Sequence, residues 1–344
     1  MWAMVLDALR KIEPDSKPLT LTQVPMPQPA AHEVLVKVSA CAVCHTELDE
    51  IEGRTPPPRL PVIPGHQVVG RVVACGSGAC RFKPGDRVGI AWIYSACGHC
   101  ELCREGRENL CRRFQATGRD ANGGYGQYMV VAEDFAYAIP AVFSDLQAAP
   151  LLCAGAIGYR SLRLAQLQDG QTLGLTGFGA SGHLVLKMVR HRYPGCRVFV
   201  FARKAEERAF ALELGATWAG TTTEAAPELL HAIIDTTPAW APIVESLKNL
   251  RPGGRLVVNA IRKEEADKAA LLALDYPRDL WQEKTIQSVA NVARSDVIEL
   301  LQLAAEIPLL SEVEVMPFEQ ANRALVELKF QRVKGAKVLV FDSP

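Results

Sequence analysis

Short runs of alternating or β-branched apolar positions dominate the chain up to Pro150. Val34–Ser39 alternates as V-L-V-K-V-S, and Val68–Ala74 is rich in valine, which is typical of strands. A Pro-Gly-Asp turn leads into a further predicted strand, Gly89–Trp92. Arg54–Pro64 holds five prolines, so we expect an extended loop there rather than a helix. The first part of the chain is therefore predicted to be a β-rich domain.

After Pro150 the pattern changes to short apolar strands that alternate with amphipathic helices. The predicted strands are Gln171–Thr176, Arg197–Phe201, Ala232–Asp235, Arg255–Asn259 and Thr285–Val289. The predicted helices are Gly158–Gln166, a segment from the Gly177–Gly182 motif through Arg192, Ala205–Leu214 and Val244–Leu250. Such alternation predicts an α/β domain built on a doubly wound parallel sheet.

Composition and charge narrow the class of protein. At 344 residues the chain is long enough for two compact domains, and its 49% hydrophobic content suits a globular enzyme. Lysine and arginine number 38 and so do aspartate and glutamate, so no nucleic-acid or membrane partner is expected. No apolar run reaches the roughly 20 residues that span a bilayer. The start, M-W-A-M-V-L-D-A-L-R, predicts no signal peptide.

Four closely spaced cysteines provide the strongest chemical signal. They follow the pattern C-x2-C-x2-C-x7-C and are Cys97, Cys100, Cys103 and Cys111. Thiolates at these intervals can bind one tetrahedral Zn²⁺, and four thiolates leave no open position, which is typical of a structural site. A pair of disulfides is the alternative. Since zinc-binding thiolates must be reduced, the cytoplasm is the expected location.

A second set of potential zinc ligands is dispersed along the chain. Cys44 lies in C-A-V-C-H-T, His66 in P-G-H-Q-V-V-G and Cys153 in A-A-P-L-L-C-A-G. Two thiolates and one imidazole leave a fourth position for water or a substrate oxygen, as in catalytic zinc sites. Each residue alone is more typical of a core or loop position, so this prediction depends on their occurring together.

A glycine motif marks a nucleotide site. The G-x-G-x-x-G pattern at Gly177, Gly179 and Gly182 follows a predicted strand and opens a predicted helix. In that context the first glycine permits a tight turn, the second lets pyrophosphate approach the backbone, and the third lets helix and strand pack closely. The amino end of the helix would then hold the phosphates.

In order and spacing, these motifs resemble the zinc-dependent, medium-chain alcohol dehydrogenase family nearly end to end. The closing segment E-V-M-P-F-E-Q-A-N-R-A-L, Glu314–Leu325, adds to the likeness. The resemblance implies a GroES-like, zinc-binding catalytic domain (1–152 and 295–344) and a Rossmann cofactor domain (153–294). It implies hydride transfer between small alcohols and aldehydes or ketones, with one catalytic and one structural zinc. Because the chain lacks a long insertion, it resembles the shorter members, so a homo-tetramer is favoured over a dimer.

The resemblance also locates the cofactor-selecting residues. An NAD-specific site places a carboxylate at the end of the second strand. Counting back from Leu214-Gly215-Ala216, which resembles a fixed landmark of the family, Ala202 occupies that position. The following Arg203 and Lys204 could pair with a 2′-phosphate, which favours NADP(H) over NAD(H). Solvated cations at a helix start are the alternative.

Further roles follow from the positions that match the family motifs. Thr46 is expected to begin a proton relay, and His45 to lie beside the cofactor pyrophosphate. Glu47, where the family has Asp, is expected to accept from the other ring nitrogen of His66 and fix its tautomer. Gln67 replaces the family's Glu, which should leave the zinc a stronger Lewis acid. Asp49 replaces a relay histidine and is a poor base at neutral pH.

Two residues are candidates for the substrate pocket. Trp92 is positioned like a pocket aromatic, and Arg54 stands where close relatives of the family place an aromatic side chain. If Arg54 faces the pocket, a polar or anionic substrate is favoured, but a solvated arginine on a proline-rich loop is equally compatible.

Two other functions remain open at this point. Dehydrogenation of polyols or sugars would keep the same ligands but would favour Glu at position 67. A non-catalytic, nucleotide-binding relative would be expected to have lost an inner zinc ligand, whereas Cys44, His66 and Cys153 are all present.

Overall fold

The chain forms two compact units. The computed structural model describes residues 1–307, 309–331 and 335–341. The first unit contains Met1–Cys153 and Val292–Pro344, and the second is Ala154–Asn291. The sequence-based boundaries at 152 and 295 lie one residue before and three residues after these divisions. Parts of the expected 295–344 segment, namely 308, 332–334 and 342–344, fall outside the described residues.

Strands occur along the whole chain. In chain order they are β1 (Trp2–Val5), β2 (Thr20–Gln23), β3 (Glu33–Ala42), β4 (Gln67–Cys75), β5 (Arg87–Ile90), β6 (Ile93–Ser95), β7 (Gln115–Ala116), β8 (Tyr128–Ala132), β9 (Ala136–Ala138), β10 (Thr172–Thr176), β11 (Arg197–Phe201), β12 (Trp218–Gly220), β13 (Leu230–Asp235), β14 (Leu250–Val258), β15 (Thr285–Ser288), β16 (Val313–Pro317) and β17 (Ala336–Val340).

The longer helices belong mainly to the second part of the chain. In chain order the helices are α1 (His45–Ile51), α2 (Glu101–Arg104), α3 (Asp145–Ala148), α4 (Ala154–Ala165), α5 (Ala180–Arg192), α6 (Ala205–Glu213), α7 (Ala241–Asn249), α8 (Tyr276–Asp279), α9 (Arg294–Glu306) and α10 (Ala321–Phe330). Within the described residues, no helix combines the length and apolar character needed to cross a membrane.

The first unit is organised around β3. Its strand order is β16-β17-β3-β4-β5-β9, with β8 also pairing with β3. Strand β3 is antiparallel to β4, β8 and β17. Its residues are all buried from Val34 to Val36, and beyond Val36 they alternate, with Lys37 and Ser39 half-buried and Val38 buried. This period of two is what the V-L-V-K-V-S run predicts. The segment that carries Cys44 leaves the carboxyl end of β3, so this sheet anchors the site.

The second unit contains a parallel sheet of the order β12-β11-β10-β13-β14-β15. Counted from β10, this is the order 3-2-1-4-5-6 of the Rossmann fold, and all its strand pairs are parallel. All five residues of β10, T-L-G-L-T, are buried, as expected for a central parallel strand. The strand order changes direction between the adjacent strands β10 and β13, and sheets of this kind bind ligands at such a switch point.

One expected turn is part of a strand. Pro252-Gly253-Gly254 is typical of a turn before a strand at Arg255, but β14 already begins at Leu250. The pairing of β14 with β13 shifts register between Leu230 and Ala232, so the extra residues are accommodated as an irregularity in the strand.

Candidate active site and metal centres

Cys44 is held at the amino end of α1. It adopts an extended conformation, and its backbone N–H donates to Oε2 of Glu47 at 2.7 Å. Glu47 therefore closes the first helical turn with the side chain of the third helical residue. The Cys44 thiol lies 3.6 Å from Oγ1 of Thr46. His45, next to Cys44, is exposed.

His66 occupies a fully buried position immediately before β4. Gly65 precedes it with φ +97°, and a Cβ at that glycine would lie 2.4 Å from the Tyr125 ring, so no larger residue fits. Oε1 of Glu47 lies 2.6 Å from Nδ1 of His66. Nε2 has no hydrogen-bond partner among the described residues, so it is available as a ligand atom.

Cys153 completes the cluster. It follows a short 3₁₀ turn, Ala149–Leu152, and its sulfur lies 3.9 Å from that of Cys44. The ligand atoms of Cys44, His66 and Cys153 all lie within 4.8 Å of one another. Two sulfurs and one imidazole nitrogen at such separations suit Zn²⁺, whose bonds to them are about 2.3 and 2.0–2.1 Å. The residues present therefore fit a zinc ion with three protein ligands.

The two thiols of this cluster are not equivalent. A hydrogen bond from Cys153 holds the pKa of the Cys44 thiol well below its ordinary value, against the opposing effect of burial. The same hydrogen bond, together with burial, raises the pKa of Cys153 well above its ordinary value. Because zinc binds thiolates, occupation of the site by the metal would release the proton that the pair shares.

Aromatic side chains line one side of the cluster. The Trp92 ring lies 6.4 Å from the ring of His66 and 5.7 Å from that of Phe114. The Arg119 guanidinium lies 5.6 Å from the Trp92 ring, and it also forms an ion pair with Asp120. Phe114 and Arg119 have no signal in the sequence, because nothing local relates them to Trp92.

Arg54, which lies just after α1, pairs with carboxylates near the carboxyl end of that helix. Its Nε lies 2.6 Å from Oδ1 of Asp49, and its Nη1 contacts Glu52. Asp49, which stands at the expected relay position, is therefore one half of an ion pair. Gln67 is buried at the start of β4. The roles of Arg54 in the pocket and of Asp49 in the relay stay predictions.

A buried carboxylate next to Trp92 was not anticipated. Glu50 is 1% exposed, and its Oε1 accepts from the Trp92 indole N–H at 3.4 Å. Burial, with the nearby Glu47 charge as the second cause, raises the pKa of Glu50 to about 8. Its sequence signal was weak, since a Glu at this point of a short amphipathic helix is usually solvated.

The four-cysteine lobe forms a second group of potential metal ligands in the first unit. Its sulfurs lie within 4.8 Å of one another, with Cys97 3.8 Å from Cys103 and Cys100 3.9 Å from Cys111. A disulfide would bring two sulfurs to about 2.05 Å. All ten cysteines are free thiols, so the disulfide alternative is not observed.

Backbone N–H groups already point at the lobe sulfurs. Cys100 donates to the sulfur of Cys97 at 3.4 Å, and Arg113 to that of Cys111 at 3.3 Å. Hydrogen bonds from the backbone at His99 and Cys100 lower the pKa of Cys97 to about 6. The positive φ angles of Gly98 and Gly106, +75° and +69°, allow the tight turns. This geometry suits a thiolate-bound metal.

The glycine motif in the second unit has the geometry of a phosphate-binding turn. A Cβ on Gly177, whose φ is +80°, would lie 2.7 Å from Oγ1 of Thr236, and one on Gly182 would lie 2.8 Å from the Gly177 carbonyl oxygen. Both positions therefore require glycine. A Cβ on Gly179 would meet no heavy atom of the described residues within 4 Å. Gly179 caps α5, so open space lies over the amino end of a 13-residue helix.

The segment that is expected to select the cofactor follows β11. Ala202 is buried and donates its backbone N–H to Gly220, whereas Arg203 and Lys204 are exposed. Nη1 of Arg208 donates to the carbonyl oxygens of Ala202 at 2.9 Å and Arg203 at 2.8 Å. Arg208 thus brings a third cation to this segment. This role of Arg208 could not be predicted from the sequence, because Arg208 lies one helical turn into α6.

Comparisons with known proteins agree with the fold and the groups of potential metal ligands described above. Residues 30–141 match the family "Alcohol dehydrogenase GroES-like domain", and residues 181–306 match "Zinc-binding dehydrogenase". The "Probable alcohol dehydrogenase AdhA" of Mycobacterium tuberculosis is 40% identical over 95% of this chain and 94% of its own length. An alcohol dehydrogenase of Geobacillus stearothermophilus is 34% identical over 96% and 98%.

A solved structure is similar over the same extent. The cinnamyl alcohol dehydrogenase SbCAD4 of Sorghum bicolor has a TM-score of 0.82 at 27% identity and covers 98% of this chain and 97% of its own. These matches confirm the predicted fold class, a GroES-like domain with a Rossmann domain, and the predicted reaction class. The chain belongs to the zinc-dependent, medium-chain alcohol dehydrogenase family.

Proposed function

We propose that this protein is an NADP(H)-preferring alcohol and aldehyde or ketone oxidoreductase with two zinc ions per chain. The observation that carries the proposal is the convergence of Cys44, His66 and Cys153 on one buried point. They would hold the catalytic zinc, whereas Cys97, Cys100, Cys103 and Cys111 would hold the structural one. In the catalytic site, zinc supplies Lewis-acid polarisation of the substrate oxygen.

The residues around the catalytic cluster orient it. Glu47, 2.6 Å from Nδ1 of His66, favours a proton on that nitrogen and so presents Nε2 as the ligand atom. Thr46, whose hydroxyl lies beside Cys44, would accept the proton of the alcohol and pass it on. Trp92 offers an apolar wall and shields one side of the cluster from water. Hydride transfer itself is the chemistry of the nicotinamide cofactor.

The preference for NADP(H) is supported by charge. The segment after β11 carries Ala202 in place of a carboxylate, followed by the exposed cations Arg203 and Lys204. Arg208, fixed by two backbone carbonyl oxygens, adds a third positive charge. A 2′-phosphate would meet cations here and no repelling carboxylate at position 202. Gly177, Gly179 and Gly182 would hold the pyrophosphate.

The remaining features of the proposal concern assembly and location. A homo-tetramer is supported by the resemblance to the shorter family members, and a cytoplasmic location by the need for six thiolate ligands in the reduced state. The partners are small-molecule alcohols and carbonyl compounds, with no nucleic acid or membrane.

Elemental analysis and cofactor kinetics test the proposal together. We expect two zinc ions per chain and a kcat/KM with NADPH above that with NADH, across a panel of alcohols and aldehydes. Fully active enzyme with one zinc per chain would contradict the two-site assignment. An equal or higher kcat/KM with NADH would contradict the cofactor preference.

A further inference from the structure

Glu50 is a buried carboxylate without an ordinary partner. It is 1% exposed, and its Oε2 accepts no hydrogen bond from the described residues. Among the described residues, its Oε1 is reached only by the Trp92 indole at 3.4 Å, beyond the usual range for an N–H···O bond. Burying a carboxylate in this way is unfavourable unless a positive charge compensates it.

The other buried glutamates of the described residues are all compensated. Glu47 accepts from the backbone of Cys44, and Glu108 pairs with Arg294 at 2.9 Å. Glu133 accepts from two backbone N–H groups, and Glu327 pairs with Lys337 at 2.6 Å. Glu50 therefore differs from the rest of its class in this protein.

The charges that face Glu50 do not supply the missing cation. Glu47 lies one helical turn earlier on the same face of α1 and repels it. Arg119 contributes only weakly and is bound by Asp120 at 2.8 Å. His66 and the Trp92 indole also lower the pKa of Glu50, but His66 is one of the three ligand candidates and must be neutral when it binds a metal. What lies next to them is the cluster of three zinc-ligand candidates.

The Trp92 side chain lies between Glu50 and that cluster. Its indole nitrogen is 3.4 Å from Oε1 of Glu50, and its ring is 6.4 Å from the ring of His66. Residue 67, beside His66 in sequence, is a glutamine and offers no carboxylate.

We propose that Glu50 is a positioning residue of the catalytic metal site, where its carboxylate compensates the charge of the bound cation and raises the affinity for zinc. The inference rests on the proposed assignment of Cys44, His66 and Cys153 as the catalytic zinc ligands. It supplies from α1 the negative charge that Gln67 does not provide.

The decisive measurement is zinc affinity by competition with a chromophoric chelator, at the catalytic site of otherwise zinc-loaded protein. Glu50→Gln is expected to weaken binding by about 10–100-fold, the usual effect of removing a group that supports a metal site. Glu52→Gln is the matched control, because Glu52 is a carboxylate on the same segment that already pairs with Arg54 and Lys329. It should change zinc affinity less than about two-fold, and Glu50→Asp should recover most of what Glu50→Gln loses.

Thermal unfolding of the protein lacking the catalytic zinc separates this role from a purely structural one. Glu50→Gln should then be at least as stable as the parent, since the amide replaces a buried carboxyl group whose ionised form lacks a compensating cation. Lower stability, failure to fold, or unchanged zinc affinity in Glu50→Gln would each overturn the inference. Parent protein that binds no zinc at this cluster would instead overturn the proposed function beneath it.

Discussion

The two thiol clusters of the first unit use the same chemistry and are built in opposite ways. The lobe takes its four sulfurs from one segment, Cys97 to Cys111, and holds them with backbone N–H groups and glycine turns. The other cluster takes Cys44, His66 and Cys153 from three separate places. A set of four thiolates is closed and suits folding, whereas a set of three donors leaves a position for substrate. Dispersed ligands are thus associated with an open site, and contiguous ligands with a closed one.

The largest expected effect comes from the dispersed cluster. Cys153→Ala removes one of three ligands, so turnover should fall to background while the midpoint of thermal unfolding changes little. Activity assays and zinc analysis would check this, with one zinc per chain expected. Cys75→Ala, a half-buried thiol of the same unit that belongs to neither cluster, is the control and should keep its activity. Substantial residual turnover in Cys153→Ala would remove the functional contrast between the clusters.

The contiguous lobe should respond in the opposite sense. Cys103→Ala removes a buried ligand of the proposed structural site, where zinc binding would contribute directly to folding. We expect a sharply lower unfolding midpoint and lower yield, with near-normal kcat for whatever protein remains folded. Calorimetry on zinc-loaded samples would measure it. An unchanged midpoint would mean that the lobe does not stabilise the fold.

A smaller effect is expected in the second unit, where the proposed cofactor contacts also come from neighbouring residues of one segment. Arg203→Ala should raise the KM for NADPH about tenfold, the effect of one lost charge-assisted contact, and leave that for NADH nearly unchanged. Steady-state kinetics with both cofactors would show the difference. Arg197→Ala provides the control, because it lies at the other end of β11 and pairs with Glu228. Equal changes for both cofactors would refute a contact with the 2′-phosphate.

The smallest effect concerns the charge around the open cluster. Gln67→Glu adds a negative charge that stabilises the protonated alcohol, so the kinetic pKa for alcohol oxidation should rise by about one unit, or roughly 1.4 kcal/mol. The rate would therefore be reduced below the new pKa and preserved above it. pH–rate profiles of both proteins would measure the shift, with zinc content as the control. Superimposable profiles would show that residue 67 points away from the metal.

Structural features that depend on residues close together in the sequence could be predicted, whereas features that depend on residues far apart in the sequence could not. The strands, the alternation of strand and helix and the cysteine lobe follow from local patterns, and the structure has them near the expected positions, apart from the earlier start of β14. The environments of Glu50 and Arg54 depend on tertiary packing. Arg54 pairs with Asp49 and Glu52, whose positions become adjacent only when α1 ends where it does.

Contacts between residues that lie far apart in the sequence could not be predicted from it. Phe114 and Arg119 adjoin Trp92 through pairing of β6 with β7 and the turn that follows, and no spacing rule relates them. The side chain of Arg208 extends back toward the amino end of α6 and donates to the carbonyl oxygen of Ala202, in the segment after β11. In each case the chemistry is carried by a common residue type in an ordinary helix or loop, so only its surroundings distinguish it.

The pairing of β17 with β3 has a consequence for the order in which the two units can fold. Leu339 pairs with Cys41, and the carbonyl oxygen of Lys337 accepts from the backbone N–H of Val43, so the strand leading to Cys44 is completed by a strand from a distant part of the sequence. The parallel sheet of 154–291 is continuous in sequence and can form on the ribosome before that strand emerges. Until β17 is available, the segment that leads to Cys44 lies beside an incomplete edge of β3. Metal binding at the proposed catalytic site is therefore expected to follow the formation of the parallel sheet.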